Sequence, residues 1–248
     1  IKEFSSPIDT KEGFPQIYKL PSIVTHIDPI KKLRKVTVGP RIISSKEEIK
    51  ILVVGLVGAG KTTFINGFAN YLYGVKWKDN CRFKIVSDED EESDGITNCH
   101  NLSITDYVTA YTLYWQPGFA VPYTVTLIDT PGIGSLKGIR QDIKVIDQIE
   151  SFLMNENDCG IDSINAVALT FFSSLDSHSM GIPQFIYDSI MKLFGIDIRK
   201  NCIIVATFAD PDRPLLFSAL KTDSDIPTTY FYKFNNGSLF EKCIGDDS

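Results

Sequence analysis

One short segment, residues 55–62, constrains the fold more than any other part of the chain. It reads Gly-x-x-x-x-Gly-Lys-Thr, between an apolar, β-branched run at 49–54 and a helical pattern that begins at Thr62. Glycines let the backbone wrap so that successive N–H groups point inward, and the following helix adds its positive N-terminal end. A strand, a glycine-rich loop and a helix in this order predict an α/β fold with a phosphate-binding loop.

The polar residues of this loop have distinct predicted tasks. Lys61 supplies a mobile cation for the outer phosphates, the Thr62 hydroxyl suits a Mg²⁺ shell, and Thr63 can reach the α-phosphate. The residues of the segment predicted to contact nucleotide are Gly55, Gly58, Ala59, Gly60, Lys61, Thr62 and Thr63. A chance glycine loop is the alternative, but it does not explain the buried strand before the loop and the helix after it.

A second segment, Asp-Thr-Pro-Gly at 129–132, follows a strand pattern at 123–128. A strand that ends in Asp129 places a carboxylate beside the glycine loop, where it can hold Mg²⁺ through water. The N–H of Gly132 can bond the terminal phosphate and respond to its loss, because glycine allows a close approach. A plain turn would look similar, yet its position behind the glycine loop favours a GTPase over most ATPases.

A GTPase also needs a threonine that binds Mg²⁺ only in the triphosphate state. Thr97 and Thr105 are the candidates, and Thr105 is preferred because it directly precedes a strand-like run. An ordinary loop threonine is the alternative for either position. The predicted metal ligands are Thr62, Thr105 and Asp129, and the groups predicted to act on the terminal phosphate are Lys61, Thr105 and Gly132.

Strand and helix patterns alternate along residues 49–248, which we predict to be one domain. Strands are predicted at 49–54, 108–115, 123–128, 166–172, 202–207 and 229–234, and helices at 62–73, 140–154, 183–194 and 214–220. This alternation predicts a three-layer α/β fold with a mostly parallel, doubly wound sheet and one antiparallel edge strand. Residues 1–48 contain five prolines and are predicted to form an N-terminal extension with one or two short strands, for example at 35–38.

Composition excludes several classes of function. Lys and Arg total 25 against 31 Asp and Glu, and the resulting net charge of −6 argues against nucleic-acid binding. Five cysteines without paired spacing indicate reduced thiols and a cytoplasmic protein. No apolar stretch approaches the roughly 20 residues of a membrane span. Because the chain starts at Ile1 without a methionine, we expect a domain excised from a longer protein.

Taken together, the motifs resemble the septin and immunity-associated branch of the TRAFAC GTPases, and more closely a group of animal septin-like P-loop proteins. The resemblance covers roughly residues 50–240 and includes the Ser-Ile-Thr at 103–105 and the Phe-Asn-Asn at 234–236. It implies a Ras-like G domain that binds GTP or GDP with Mg²⁺. It also implies a homodimer in which the two subunits contact each other through their nucleotide-binding sides. It does not indicate a protein effector.

Base recognition departs from the usual GTPase pattern. Where GTPases carry Asn-Lys-x-Asp, this chain has Thr207, Phe208, an alanine and Asp210. Asp210 keeps the acceptor for guanine, Phe208 replaces the lysine stem and could pack on the base, and Thr207 replaces the asparagine. The resemblance assigns a guanine contact to Asn235 or Asn236. The alternative for Asp210 is an acidic residue that opens the Asp-Pro-Asp turn at 210–212.

The residue that orients water in Ras-like enzymes has no equivalent here. Its place is taken by Ile133, which cannot hydrogen-bond. Hydrolysis is therefore expected to be slow, or to be helped by Ser135, Arg140 or a second subunit. Three functions stay open: a GTP-controlled switch or assembly module, an ATPase or nucleotide kinase, and a pseudo-GTPase that binds nucleotide without turnover. A kinase would carry a basic lid, and no arginine cluster follows residue 140.

Overall fold

The structure is a computed structural model that describes residues 5–8, 10, 13–41, 46–86, 106–136, 138–154, 159–209 and 214–240. Its strands are β1 (Ser6–Ile8), β2 (Gln16–Lys19), β3 (Ser22–Asp28), β4 (Leu33–Val38), β5 (Glu48–Gly55), β6 (Cys81–Lys84), β7 (Val108–Leu113), β8 (Thr124–Asp129), β9 (Ala166–Phe172), β10 (Cys202–Thr207) and β11 (Phe231–Lys233). Its α-helices are α1 (Lys61–Leu72), α2 (Ile139–Leu153), α3 (Gly181–Phe194) and α4 (Leu215–Asp223). Short 3-10 turns are found at Ser177–Ser179, Ile196–Asn201 and Ser238–Phe240.

The main sheet has eight strands in the order β11-β10-β9-β5-β8-β7-β4-β3. Pairing is parallel from β11 to β8, β7 joins β8 antiparallel, β4 is parallel to β7, and β3 is antiparallel to β4. The expected α/β fold with a largely parallel sheet is confirmed. Beyond β7, the sheet continues to β4 and the antiparallel edge strand β3, because strands from the first 48 residues pair with it. The predicted division at residue 48 stays a prediction.

Side chains that alternate along the central strands build an apolar layer on each face of this sheet. In β5, Leu52 and Val54 face the layer formed with α2, α3 and α4, whereas Val53 faces the layer formed with α1. Two helix layers around one sheet make the three-layer arrangement. Among the described residues, none of the helices combines the length and the apolar content that crossing a membrane requires.

A second, smaller sheet has the order β1-β2-β6 and is attached to α1 by two buried asparagines. Asn66 accepts from the N–H groups of Ile85 and Val86 at 2.8 and 3.1 Å, and donates to the Val86 carbonyl at 3.1 Å. Asn70 exchanges two bonds with the backbone of Phe83, at 2.9 and 2.7 Å. Because β2 pairs with one edge of β6, these amides satisfy the other edge of β6 and the residues that follow it.

Candidate functional site

The glycine loop connects the end of β5 to the start of α1 at the carboxyl edge of the main sheet. Gly58 and Gly60 have φ of 73° and 76°, a left-handed conformation that side-chain-bearing residues rarely adopt. Gly55 is required for another reason, since a Cβ there would lie 2.0 Å from the Thr170 carbonyl oxygen of the neighbouring β9. Backbone shape and close strand packing therefore explain the three glycines. Ala59 is fully buried within the loop.

Lys61, the first residue of α1, folds back into the loop. Its Nζ donates to the carbonyl oxygens of Leu56 at 3.0 Å and of Gly55 at 3.4 Å, and the side chain is only 7% exposed. Burial lowers the pKa of Lys61 from 10.5 to about 8, and the charge of Asp129 acts in the opposite direction. The loop thus contains a desolvated ammonium group, which interacts strongly with any anion that the loop admits.

Beside this lysine, a hydroxyl and a carboxylate meet. The Thr62 Oγ1 donates to Oδ2 of Asp129 at 2.9 Å, and Asp129 is fully buried at the end of β8. The Asp129 position is fixed because β8 pairs with β5 on one side and with β7 on the other. Thr63, the next residue of α1, is partly exposed.

The chemistry of these donors fits Mg²⁺. Mg²⁺ takes oxygen ligands and is commonly bound by one or two protein groups together with waters and phosphate oxygens. Thr62 and Asp129 supply two such oxygens. No cluster of three or more His, Cys, Asp or Glu side chains suited to a metal is found in the part of the chain that the structure describes. The donor set therefore suits an ion that is shared with a phosphate ligand, not one held by a protein cage.

The segment after Asp129 runs directly along the glycine loop. Thr130 donates to the Val53 carbonyl at 2.9 Å, while the Val57 N–H donates to the Ile133 carbonyl at 2.9 Å and the Ile133 N–H to the Gly55 carbonyl at 3.1 Å. A Cβ on Gly132 would lie 2.6 Å from the Cα of Val57. Gly132 is thus a close-packing position as well as the predicted phosphate sensor.

The residues weighed as helpers of hydrolysis lie in different environments. Ile133 is fully buried in the apolar layer below α2 and α3, whereas Arg140 is exposed. Among the described residues, the Ser135 hydroxyl is buried and has no hydrogen-bond partner. Asp142, in the first turn of α2, accepts from the Gly134 N–H at 2.9 Å and anchors this loop. The sequence analysis missed Asp142, although an acidic residue in a first helical turn is a recognisable signal.

On the other side of the glycine loop, the ends of β9 and β10 come together. Thr207 is buried and donates from Oγ1 to the Phe171 carbonyl at 3.0 Å. Phe208 stacks on Phe172, with ring centroids 5.9 Å apart and planes at 20°. A Cβ on Gly60 would lie 3.7 Å from the Phe208 ring. The structure thus places Thr207 and Phe208 beside the loop and adds Phe172, which the sequence analysis had not singled out.

The two asparagines that follow β11 are placed differently. Asn235 is exposed, whereas the Asn236 side chain packs on α1, where a Cβ at Gly67 would lie 2.8 Å from Asn236 Oδ1. Thr97, Thr105 and Asp210 lie outside the described residues. The structure therefore brings the loop residues together with Asp129, Gly132, Thr207 and Phe208. The roles of Thr105 as a metal ligand and of Asp210 as the acceptor for guanine stay predictions from the sequence.

Comparisons with known proteins give distant structural similarities. A scan against protein-family models gives no match, and a search of curated proteins gives none. Toc33 from Arabidopsis thaliana, in a dimerization-deficient mutant, has a TM-score of 0.48 at 15% identity over 82% of this chain and 79% of that chain.

Two further solved structures are more distant by TM-score. A probable GTP-binding protein, engB, has 0.42 at 16% identity over 79% and 92% of the two chains. The G domain of the FeoB iron transporter of T. maritima has 0.35 at 18% identity over 77% and 90%. Similarities this distant assign neither a family nor a ligand.

Proposed function

We propose that this chain is a septin-like P-loop GTPase that binds GTP and GDP with Mg²⁺, hydrolyses GTP slowly, and acts as a nucleotide-controlled switch or assembly module. One observation carries the proposal: the bond between Thr62 and Asp129 lies beside the buried ammonium of Lys61, inside a loop that two left-handed glycines shape. Few ligands other than a magnesium-bound polyphosphate need a cation, a hydroxyl, a carboxylate and converging backbone amides in one place.

The chemistry follows from charge. The amides of residues 58–63 and the Lys61 ammonium donate hydrogen bonds to the phosphate oxygens. As water attacks the γ-phosphate in line with the bond to the β-phosphate that breaks, negative charge shifts among these oxygens, and the same donors stabilise it. Thr62, Asp129 through water and, in the triphosphate state, Thr105 would hold Mg²⁺, which would supply additional charge neutralisation. Gly132, which precedes the Ile133 that is bonded to the glycine loop, offers its N–H to the γ-phosphate.

The proposed base is guanine. Asp210 is the proposed acceptor for the guanine N–H groups, with Thr207, Phe208 and Asn235 around it. Asn236, whose side chain packs on α1, is the alternative to Asn235 as the guanine contact. A homodimer through the nucleotide faces is the proposed assembly, since the buried Ile133 offers no group to orient water and a second subunit could supply one.

The runner-up is a pseudo-GTPase that binds nucleotide without turnover. The observation that favours it is the burial of Ile133, because a side chain in the apolar layer cannot position the attacking water. An ATPase is the third candidate, since Phe208 stands where GTPases carry lysine.

One set of measurements separates these functions. Nucleotide that co-purifies with the protein is identified by mass, and phosphate release from GTP and from ATP is then measured with Mg²⁺ and with EDTA. Lys61→Ala is compared with Lys50→Ala, a lysine near the amino end of β5 whose Nζ pairs with Asp162 at 2.7 Å. GTP turnover that needs Mg²⁺ and is lost only in Lys61→Ala supports the proposal.

Other outcomes point elsewhere. Binding without phosphate release at high protein concentration, where the proposed dimer should form, favours the pseudo-GTPase. Preference for ATP overturns the assignment of guanine. If a folded sample binds neither nucleotide in a Mg²⁺-dependent way, the nucleotide-binding proposal itself is wrong.

A further inference from the structure

The face of the main sheet that carries α2, α3 and α4 changes from apolar to polar along its strands. Midway along β5, Leu52 lies beside Ile128 of β8, which lies beside Ala110 of β7, and all three belong to the apolar layer. Toward the start of β5, the next row on this face crosses four neighbouring strands and is polar: Lys50 on β5, Thr126 on β8, Thr112 on β7 and Thr37 on β4. Because buried hydroxyl groups need hydrogen-bond partners, this row is not built for apolar packing.

Two hydroxyl groups of this row form a directed chain of hydrogen bonds. Thr126 is 2% exposed and donates from Oγ1 to Oε1 of Glu48. The Oγ1 atoms of Thr112 and Thr126 are also hydrogen-bonded, at 2.8 Å. Since a hydroxyl has one proton and Thr126 gives its own to Glu48, Thr112 is the donor in this second bond. The Thr112 hydroxyl therefore still offers its lone pairs, which accept hydrogen bonds.

A cavity of about 480 Å³ lies over this row. Apart from His26, its titratable lining residues with a formal charge are four cations, Lys35, Arg41, Lys46 and Lys50, and two carboxylates, Glu48 and Asp162. Lys50 bonds to Asp162 at 2.7 Å and lies 3.9 Å from Glu48, so these three charges largely compensate one another. Lys35, Arg41 and Lys46 therefore dominate the electrostatic field, and the cavity is positive on a chain whose net charge is −6.

The cavity is separate from the glycine loop. Glu48 begins β5 and Gly55 ends it, so about 23 Å of extended strand lies between the cavity wall and the loop. Cavities of roughly 300–1,000 Å³ hold small molecules. Clustered ammonium and guanidinium groups favour a phosphate group, and an acceptor beside them favours a hydroxyl group on the same ligand.

We propose that this cavity, which we call the threonine cavity, binds a small phosphorylated polyol. Lys35, Arg41 and Lys46 bind the phosphate group, whose charge near pH 7 is about −1.5 to −2. A hydroxyl group of the ligand donates to Oγ1 of Thr112. The proposal goes beyond the proposed function, because the threonine cavity lies away from the glycine loop and takes a different ligand.

Trp115 provides a local readout of binding. The Nζ of Lys46 lies 5.1 Å from the centroid of the Trp115 ring. A phosphate group that binds Lys46 changes the charge beside this indole and hence its fluorescence. The chain has two tryptophans, so Trp77→Phe leaves Trp115 as the single reporter, and this variant is the parent for all titrations.

The titrations compare four ligands at constant ionic strength and with EDTA: glycerol 3-phosphate, inorganic phosphate, tartrate and glycerol. We expect a saturable change with glycerol 3-phosphate, at a dissociation constant at least about threefold lower than those of inorganic phosphate and tartrate. Glycerol should give no change. Adding Lys61→Ala, which removes the ammonium group of the glycine loop, should leave these results unchanged.

Two variants separate the parts of the threonine cavity. Lys35→Met removes the charge but keeps an unbranched side chain, and should lower the affinities for glycerol 3-phosphate and inorganic phosphate alike, by about fivefold or more. Thr112→Val keeps the shape but removes the acceptor, so it should lower only the affinity for glycerol 3-phosphate, by about threefold. Lys84→Met is the matched control, because Lys84 is a partly buried lysine of β6 in the second sheet. It should bind like the parent.

Several results would overturn the proposal. They are the lack of a saturable change with glycerol 3-phosphate, equally tight binding of tartrate, and a signal that disappears with Lys61→Ala, which would assign binding to the glycine loop. Equal losses in Lys35→Met and Lys84→Met would show general attraction to positive charge. Thermal melts check that each variant folds. If Lys35→Met does not fold, Thr112→Val decides: an unchanged preference for glycerol 3-phosphate over inorganic phosphate contradicts the proposal. No titration contains nucleotide, so these results leave the proposed function untouched.

Discussion

The two sides of the glycine loop are built in different ways. On the side where we propose that phosphate binds, here called the phosphate side, Lys61 and Asp129 are 7% and 0% exposed, and both adjoin the paired strands β5 and β8. On the side where we propose that the base binds, here called the base side, Phe208 is 54% exposed and is held by a few local hydrogen bonds, including one from Ser173, and by a neighbouring ring. Substitutions on the phosphate side should therefore disturb the fold, whereas the base side can change with few consequences for folding.

The largest effect should come from Gly55→Ala. The added Cβ would lie 2.0 Å from the Thr170 carbonyl oxygen, and neither backbone can move without separating β5 from β9. We expect a loss of at least about 4 kcal/mol in the free energy of unfolding, measured with denaturant. Gly181→Ala is the control, because a Cβ there meets nothing within 4 Å. A Gly55→Ala protein as stable as wild type would remove the contrast between the two sides.

Asp129→Asn should change how strongly Mg²⁺ increases GTP affinity, a property that we assign to the phosphate side alone. The amide keeps the shape of the carboxylate but lacks its charge, so Mg²⁺ should add much less to GTP affinity. We expect the ratio of GTP affinities with and without Mg²⁺ to fall about tenfold. Phe208→Gly, on the base side, should lower both affinities and leave that ratio unchanged. If both variants change the ratio equally, the sides are not independent.

The titration of Lys61 gives a pH signature of the phosphate side. Its pKa in the folded protein is about 8, below 10.5, so the unfolded chain binds more protons between these values and stability from this group rises with pH in that window. Bound phosphate should raise the pKa again, so Lys61 should take up as much as about 0.8 proton at pH 8.5 and almost none at pH 6.5 when GTP binds.

Calorimetry in buffers of different ionisation enthalpy measures this uptake. Lys61→Arg is the control, because arginine stays charged throughout this pH range and should abolish the uptake. An uptake at pH 8.5 that persists in Lys61→Arg would show that another group titrates.

The smallest effect should come from Thr207→Val on the base side. This change removes the bond from Oγ1 to the Phe171 carbonyl at 3.0 Å but keeps the side-chain volume. We expect a loss of about 1 kcal/mol in the free energy of unfolding. Thr222→Val, which removes an exposed bond to the Ser218 carbonyl, should change stability by less than about 0.5 kcal/mol. A loss as large as that of Gly55→Ala would contradict the local character of the base side.

The positions of the glycine loop and of the strands that flank it could be predicted from the sequence because their signals are local. A left-handed turn needs glycine, and a buried parallel strand is an apolar run, so the loop lies at the predicted position and the strands β5 and β8 begin and end within one residue of the predictions. The stacking of Phe172 on Phe208 is not local, because it arises only when β9 and β10 pair. The anchoring of Gly134 by Asp142 depends in the same way on how α2 packs.

Arg82 shows a further limit of sequence patterns. A charged residue in a short strand is expected to face solvent, yet Arg82 is fully buried. Its guanidinium donates to backbone carbonyls, among them those of Trp77 at 2.7 Å and Leu239 at 2.8 Å. Every residue carries a main-chain carbonyl group, so the residue types do not indicate which of these groups will accept from a buried arginine. The environment of Arg82 could therefore not be predicted from the sequence.

The strands contributed by the first 48 residues have a practical consequence for preparing the protein. β4 pairs with β7, and β2 pairs with β6, along their full lengths. A recombinant product that starts at residue 49 would expose two rows of main-chain donors and acceptors, and such open edges recruit other chains. Shortened versions should therefore precipitate even though they retain the whole glycine loop, and crystallisation or labelling work should keep these strands.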